Sequence, residues 1–395
     1  MDKRCISELA LYNNMVVNTI NRELLEILQN PRSERKTYRQ YLEEIFVQYQ
    51  QKLEQHRAEI EPYCMIAEPF EAVKNEVQES CKKLLHIYDL YMRGKIGEAV
   101  EDMDYSFMTS ESIFLEELTQ KEPMFRARTL EPNQGSYEVE EMFHVPFEKR
   151  GIISNNRYSI AGFPCLYVGK SILACWEEMH KPNIDNLCVS RVAITEFEKR
   201  YVIDLSWKED VDGEIPEDEE AKSERHQQII TWIKRLPLII ACSIRAHDPS
   251  APFKEEYVIP QLLLHASVDN KFVDGIAYTS TRRDEQIASD IELHKNYVFP
   301  VQEVAEEGYC SELIAQFVLT RGVSFMEADI KNVFHGRGIP KIDIEGETLC
   351  FGEIDAGKTE YECTKFGQME EYLMRQPLYC IYKEDGEWRK HVVKQ

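Results

Sequence analysis

The chain has 395 residues, which is too long for one ordinary domain and predicts two or three. Its hydrophobic fraction of 43% is sufficient to build buried cores. The formal net charge of -23, from 47 Lys and Arg against 70 Asp and Glu, would repel a phosphate backbone, so the composition excludes nucleic acid as the main partner.

The eleven cysteines include no CxxC pair, and several lie in apolar runs, such as Cys175, Cys188 and Cys242. This pattern is typical of reduced, buried thiols, not of a disulfide framework or a zinc site, and it predicts a cytoplasmic protein. Residues 1–5 are not followed by the apolar core of a signal peptide. The longest apolar run, residues 236–244, is too short to span a membrane, so we expect no membrane partner.

Residues 1–120 predict a helical N-terminal domain. Pro62 and Pro69 separate two apolar stripes whose members recur at spacings of three and four, as on one face of a helix, and Gly94 ends the second stripe. Because the segments are short and separated by turns, the pattern favours a small bundle over a coiled coil. The stripes are Tyr38, Leu42, Ile45, Tyr49 and Leu53, then Val73, Val77, Cys81, Leu84, Tyr88 and Tyr91.

From about residue 123 to residue 340, short β-rich runs are mixed irregularly with helical stretches, which is typical of an α+β fold. Residues 209–224 form an acidic run within this second domain and predict a solvated loop. Residues 341–395 predict a small strand-rich C-terminal extension, with Leu378–Tyr382 as its clearest strand. The other predicted strands are Phe125–Leu130, Leu166–Val168, Cys188–Ile194, Arg200–Leu205, Val273–Tyr278 and Tyr297–Val301, and helices are predicted near 171–180, 223–235, 257–266 and 311–320.

Three other kinds of functional site are not favoured by the sequence. Gly352–Thr359 matches the phosphate-binding P-loop pattern, but it holds two carboxylates and only 36 residues follow it, so we interpret it as a hairpin turn. The ten histidines show no metal-ligand spacing, so no metal is expected. Cys165 lies between Pro164 and Leu166, which predicts a buried strand thiol and not a nucleophile.

The segment Asn156–Tyr167, followed by a predicted helix that begins at the N-cap Ser171, carries the strongest functional signal. It places Arg157, Tyr167 and Glu178 around one loop, one strand and one helix. These groups suit a substrate with a diphosphate, an aromatic ring and a glycosidic bond. A surface ion pair between Arg157 and Glu178, beside an ordinary sheet tyrosine, would account for the same residues.

This segment resembles the RES domain, a family of NAD-degrading proteins whose fold is related to ADP-ribosyltransferases. The family pattern is a Gly-Arg-aromatic-Asn loop, a Gly-x-Pro-x-x-Tyr turn and strand, and a helix that ends in Glu. In this chain Asn156 and Ser159 replace the Gly and the Asn of the loop. The resemblance covers roughly residues 123–305, the motif core of a catalytic domain spanning 123–340. The residues that stand at the family's spacing are Arg157, Gly162, Pro164, Tyr167 and Glu178.

The resemblance implies an enzyme that cleaves the nicotinamide–ribose bond of NAD+, with water or inorganic phosphate as the acceptor. NAD+ is then the substrate, and no further cofactor is expected. The implied catalytic residues are Glu178, which stabilises the oxocarbenium-like ribose, Arg157, which pairs with the diphosphate, and Tyr167, which stacks on nicotinamide.

The resemblance also implies a set of substrate-binding residues. An earlier arginine of the family maps onto Arg126 or Arg128, either of which is a second candidate for the diphosphate. The family serine maps onto Ser280, at the end of a predicted strand, where its hydroxyl would bind a ribose or a phosphate. Tyr158, the aromatic residue of the loop, completes the set.

Two other functions remain open: transfer of ADP-ribose to a macromolecule, and NAD binding without catalysis. Many RES proteins are toxins controlled by an Xre-type antitoxin, so the resemblance implies an antitoxin or inhibitor protein as a partner. Larger RES proteins carry helical N-terminal regions, and this chain is similar to those. The sequence leaves open whether the helical region forms a homo-oligomer, binds an inhibitor or senses a trigger.

Overall fold

The computed structural model contains two compact units, each with its own internal packing. The first comprises the described part of Met1–Ile113 together with Leu205–Ser267, and the second comprises that of Phe114–Asp204 together with Val268–Gln395. The structure describes residues 16–29, 36–108, 115–119, 122–195, 199–208, 211, 216, 218–268, 270–283, 290–334, 361–385 and 387–393.

The described residues form eleven α-helices and eleven strands, together with short 3-10 turns, so the fold is α+β as predicted. In chain order they are α1 (Val16–Gln29), α2 (Tyr38–Gln55), α3 (Arg57–Ala67), α4 (Phe70–Met92), α5 (Ile96–Phe107), β1 (Leu115–Leu118), β2 (Met124–Thr129), β3 (Cys165–Gly169), α6 (Ile172–Glu178), β4 (Leu187–Ile194), β5 (Arg200–Leu205), α7 (Glu219–Ser243), α8 (Val258–Val268), β6 (Gly275–Thr279), β7 (Lys295–Pro300), α9 (Ser311–Gln316), β8 (Phe317–Leu319), β9 (Val323–Ser324), α10 (Phe325–Ile330), α11 (Lys365–Met374), β10 (Tyr379–Glu384) and β11 (Glu387–Val392).

The first unit is helical, and the predicted stripes form its core. Every stripe residue is buried except Tyr91, which is half-buried and stacks on Phe253 with the ring centroids 6.3 Å apart. A capping box starts α2, because the Thr37 side chain accepts from Gln40 N while the Gln40 side chain accepts from Thr37 N. None of the helices in the described part of the chain has the length and apolarity needed to cross a membrane.

The long helix α7 belongs to this helical unit, whereas the sequence grouped residues 205–267 with the mixed domain. It packs against α3 and α4, and residues 236–242 of the apolar run noted in the sequence are buried within it. The helix begins inside the predicted acidic loop, because Asp218 caps it by accepting from Glu220 N at 3.1 Å and Ala221 N at 3.0 Å. Acidic side chains in a first turn are favoured by the helix dipole, so part of the acidic run is helical.

A proline inside α7 is compensated by a tyrosine from α2. Pro237 has no N–H, so it cannot supply the helical hydrogen bond to the carbonyl of Ile233 four residues earlier. Tyr49 Oη donates to Ile233 O at 2.6 Å and satisfies that buried carbonyl. The contact joins residues 184 apart in the chain and ties α7 into the bundle.

The second unit is built on one sheet in the order β1-β5-β6-β7-β3-β2-β4-β8-β10-β11, with β9 paired to β4. The predicted strands of the mixed domain correspond to β2 through β7, and the predicted strand Leu378–Tyr382 corresponds to β10. The central strands β2 and β3 pair through Phe125 and Gly169 alone, so they diverge beyond that point.

The C-terminal extension contains a helix, α11, in addition to the β10–β11 hairpin. The strand-rich prediction did not include this helix, whose buried residues Phe366, Met369 and Leu373 pack against α6. The segment Gly352–Thr359, interpreted above as a turn, lies outside the described residues.

Candidate active site

Arg157 lies in the loop 153–164 that leads into β3. Gly162 N donates to Ile153 O at 3.1 Å and closes the loop, and the φ of Gly162 is 80°, a left-handed value that glycine adopts without a Cβ clash. The Arg157 side chain is only 7% exposed, and its Nη2 donates to Thr281 Oγ1 at 2.8 Å. The loop thus delivers the guanidinium to the turn that follows β6.

Tyr167 and Tyr278 lie on one face of the sheet beside Glu178. Tyr167 on β3 is opposite Val298 on β7, and Ile276 on β6 is opposite the same residue. Side chains two positions apart share a face, so Tyr278 faces the same way as Tyr167. Burial raises the pKa of both tyrosine hydroxyls well above the ordinary value, and the Glu178 carboxylate raises both further.

Two loop residues support this face from within the protein. Tyr167 Oη donates to Ser159 Oγ at 2.9 Å, so the serine that departs from the RES loop pattern fixes the tyrosine hydroxyl. Tyr158 is 1% exposed, and its ring centroid lies 4.6 Å from that of Tyr278. Tyr158 therefore packs against Tyr278 in the protein interior, where little of its ring is accessible to a substrate.

The helix α6 starts and ends sharply, which places Glu178 at its last position. Ser171 is the N-cap as predicted, because its Oγ accepts from Ala174 N at 2.9 Å. Two left-handed residues, His180 with φ 64° and Lys181 with φ 54°, follow the helix. This conformation costs a non-glycine residue about 1–2 kcal/mol, and the N–H groups of His180 and Lys181 offset part of that cost by donating to Glu177 O and Trp176 O of the helix.

The turn after β6 faces Glu178. Arg282 Nε lies 3.8 Å from Glu178 Oε2, and Arg282 Nη1 donates to His180 Nδ1 at 2.7 Å. Ser280 shapes this turn, because its Oγ accepts from Arg282 N at 3.1 Å and its own N–H donates to His294 O at 2.8 Å. The Glu178 side chain is 31% exposed, so the carboxylate is open to a ligand from solvent.

Arg126 and Arg128 project from the opposite face of the sheet. The pairing of Phe125 with Gly169 and the alternation of side chains place both arginines opposite to Tyr167. Arg126 Nη1 reaches the gap between β2 and β3 and donates to Tyr167 O at 2.7 Å. Burial, followed by the charge of Arg128, lowers the pKa of Arg126 to about 9.

Arg128 lies two residues further along β2. Its Nη2 donates to Phe143 O at 2.8 Å, and burial lowers its pKa. Burial lowers the pKa of the neighbouring His144 to about 4, and the charges of the two arginines contribute. Among the described residues Arg128 makes no hydrogen bond to the Glu178 side of the sheet, so the two β2 arginines do not join Arg157 at one place.

A buried pair behind the site escaped the sequence analysis. His294 Nδ1 donates to Glu177 Oε2 at 2.8 Å, and both side chains are 0% exposed. Glu177 precedes Glu178, and the carbonyl of His294 binds Ser280, so this pair connects α6 to the end of β6. The two residues are 117 apart, and a lone histidine in a largely polar segment gives no signal of its partner.

The structure thus brings most of the sequence-predicted residues together and adds others. In the described part of the chain, no group of three or more His, Cys, Asp or Glu side chains is arranged to hold a metal ion. Cys165 is buried, as predicted, and burial raises the pKa of its thiol. The predicted residues that converge are Arg157, Tyr158, Tyr167, Glu178 and Ser280, and the unpredicted ones are Glu177, Tyr278, Thr281, Arg282 and His294.

No family model matches this sequence, and no solved structure matches it significantly. A protein of Bacillus subtilis (strain 168) named "Putative toxin YopC" is 31% identical to the chain over 317 residues. The aligned region covers 76% of this chain and 69% of the relative, so it extends well beyond the Arg157–Glu178 segment. At this identity and coverage the chain belongs to the family of the protein named "Putative toxin YopC".

Proposed function

We propose that this protein is a toxin that degrades NAD+ by cleaving the bond between nicotinamide and ribose. The observation that carries the proposal is that Arg157, Tyr167 and Glu178 all lie around Tyr278 at the end of β6. The name of the Bacillus relative supports the toxin role, and the RES resemblance supports the substrate. An antitoxin or inhibitor protein is the partner that such a role requires.

Glu178 is the proposed catalytic carboxylate. Loss of nicotinamide leaves positive charge on C1′ and the ring oxygen of the ribose, and a carboxylate beside C1′ stabilises that charge. The half-open position of Glu178 at the end of α6 suits this role, because a ligand can reach it from solvent. The C1′–N bond breaks, nicotinamide leaves as a neutral base, and the oxygen of water or phosphate bonds to C1′ while water's proton is released to solvent.

Arg157 and Arg282 are the proposed diphosphate-binding groups. Arg157 donates to Thr281, and Arg282 of the same turn lies beside Glu178, so the turn 280–283 connects both arginines to the site. A planar guanidinium binds a diphosphate through two parallel hydrogen bonds, and two of them suffice for its charge. Arg126 supports the site indirectly through the backbone of Tyr167, whose ring stacks on nicotinamide in this proposal.

The test is incubation of the purified protein with NAD+, with and without inorganic phosphate, and identification of the products by chromatography and mass spectrometry. Free nicotinamide with ADP-ribose identifies hydrolysis, and nicotinamide with phosphorylated ADP-ribose identifies phosphorolysis. Label from NAD+ appearing on a macromolecule would replace the proposal by ADP-ribosyl transfer. Binding of NAD+ without any nicotinamide release would refute an enzymatic role.

A further inference from the structure

The C-terminal helix α11 makes a polar contact with the helix that carries Glu178. Glu370 is half-buried on α11, and its Oε1 accepts from Ile172 N at 2.6 Å. Ile172 is the first residue of α6, so this N–H has no partner within the helix. Tyr361 Oη donates to the same oxygen at 2.5 Å and holds the carboxylate in place.

The contact completes the start of α6. Ser171 Oγ accepts from Ala174 N, so the N-cap serine and Glu370 satisfy different N–H groups of the first turn. Apolar packing also joins the two helices, since Trp176 of α6 lies against Phe366 of α11 with the ring centroids 5.7 Å apart. The first turn of a seven-residue helix is thereby fixed from outside the helix.

We propose that Glu370 is a positioning residue for Glu178: by binding the first N–H of α6, it fixes the helix at whose other end the site carboxylate lies. A helix this short has little stability of its own, so its place depends on tertiary contacts. The buried pair of Glu177 and His294 holds the far end of α6. Glu370 gives the C-terminal segment a role that its sequence does not suggest.

Burial makes the protonation of Glu370 sensitive to pH near neutrality. Burial raises the pKa of Glu370 to about 7; the hydrogen bonds from Tyr361 and Ile172 oppose this rise, and the nearby Glu362 adds to it. Cys175 is the titratable group that faces Glu370 from α6. The cations on the packed elements bind elsewhere: Arg191 to Met374 O, Lys365 to Asp329, and Lys331 to Glu327.

The first experiment compares hydrogen exchange of α6 amides in the wild type, Glu370→Gln and Glu370→Leu, with Glu371→Leu as the exposed control on the same helix. Glutamine keeps the acceptor oxygen, so exchange over 172–178 should stay at the wild-type rate. Leucine removes the acceptor, so exchange there should be about fivefold faster, the factor of one net hydrogen bond. An unchanged rate in Glu370→Leu, or no rescue by Glu370→Gln, overturns the proposal.

The second experiment follows the thermal midpoints of the wild type and Glu370→Gln against pH. A carboxyl whose pKa is raised by folding stabilises the protein fully below its ordinary value of 4.5, and that stability is lost as the pH rises through about 7. Glutamine does not titrate, so the midpoint of Glu370→Gln should rise relative to the wild type across this window. A constant difference would show that Glu370 is not the buried group described here.

Activity is a third readout, and it alone rests on the proposed function. If the wild type releases nicotinamide, Glu370→Leu should lower kcat on the order of tenfold through misplacement of Glu178, while KM for NAD+ changes little. If the wild type shows no turnover, the exchange and pH experiments still decide the role of Glu370. Failure of the proposed function is therefore distinguishable from failure of this inference.

Discussion

Arg157 is a buried cation that the fold holds through a hydroxyl group. It is 7% exposed and donates to Thr281 Oγ1, which belongs to the same turn as Arg282. A guanidinium in this setting is weakly hydrated and directed by its neighbours, which suits recognition of a planar anionic group. Binding of the diphosphate should therefore depend on the guanidinium of Arg157 and not only on its positive charge.

Replacement of Arg157 by lysine tests this at the residue scale. Lysine keeps the charge but loses the fork of N–H donors, so we expect KM for NAD+ to rise about tenfold, the loss of one charge-assisted hydrogen bond of about 1.5 kcal/mol. Steady-state kinetics of nicotinamide release measure it. Arg150→Lys, an exposed arginine of the same unit, is the control. Equal KM values for both variants would exclude a role for Arg157 in diphosphate recognition.

The cysteines give a second prediction at the residue scale. Burial raises the pKa of Cys175 and of Cys188 to about 12, and it raises the pKa of Cys165 as well, whereas Cys363 is exposed. Near pH 7 iodoacetamide should therefore label Cys363 in the native protein and reach the buried thiols only after unfolding.

Peptide mass spectrometry after timed labelling measures this difference, with nicotinamide release followed in parallel. Activity should survive labelling of Cys363, because no thiol takes part in the proposed chemistry. Labelling of native Cys165 as fast as Cys363 would contradict this prediction. Loss of activity at the rate at which Cys165 is labelled would make Cys165 a candidate nucleophile.

At the scale of elements, a distant tyrosine replaces a hydrogen bond that a proline removes from α7. Pro237 leaves the carbonyl of Ile233 without its helical donor, and Tyr49 supplies the replacement at 2.6 Å. The proline and the tyrosine are therefore coupled through one hydrogen bond. This coupling can be measured independently of any function.

Tyr49→Phe should lower the free energy of unfolding by about 1–2 kcal/mol, because it leaves a buried carbonyl unpaired. In the Pro237→Ala background the same change should cost less, since alanine restores the N–H of residue 237. Denaturant unfolding of the four proteins of the cycle gives the coupling energy. The same cost in both backgrounds would mean that Tyr49 does not compensate for the proline.

The sequence predicted elements well where the pattern was local. The stripes of α2 and α4 repeat at helical spacing because one face of each helix must be buried. The strands β2 to β7 were recognisable from their β-branched and aromatic runs. The helix α11 was missed, because its buried face is formed by only three apolar residues within a charged stretch.

At the scale of the whole molecule, the sequence-based predictions were incomplete where the structure depends on contacts between distant segments of the chain. The pattern of α7 predicts a helix but not which unit it joins, and its partners α3 and α4 lie more than a hundred residues earlier. The side of the sheet to which Arg126 and Arg128 project depends on the register of Phe125 with Gly169. The pair of Glu177 and His294 likewise joins residues that no local spacing rule connects.

The central claim is that Glu178, at the end of α6, is the carboxylate with which this protein cleaves NAD+. The most direct measurement is nicotinamide release by the purified wild type, Glu178→Gln and the exposed control Glu312→Gln. Glutamine keeps the shape but removes the charge, so we expect kcat to fall about 100-fold or more in Glu178→Gln alone, with an unchanged thermal midpoint. Full activity of Glu178→Gln, or no nicotinamide release by the wild type with or without phosphate, would contradict the claim.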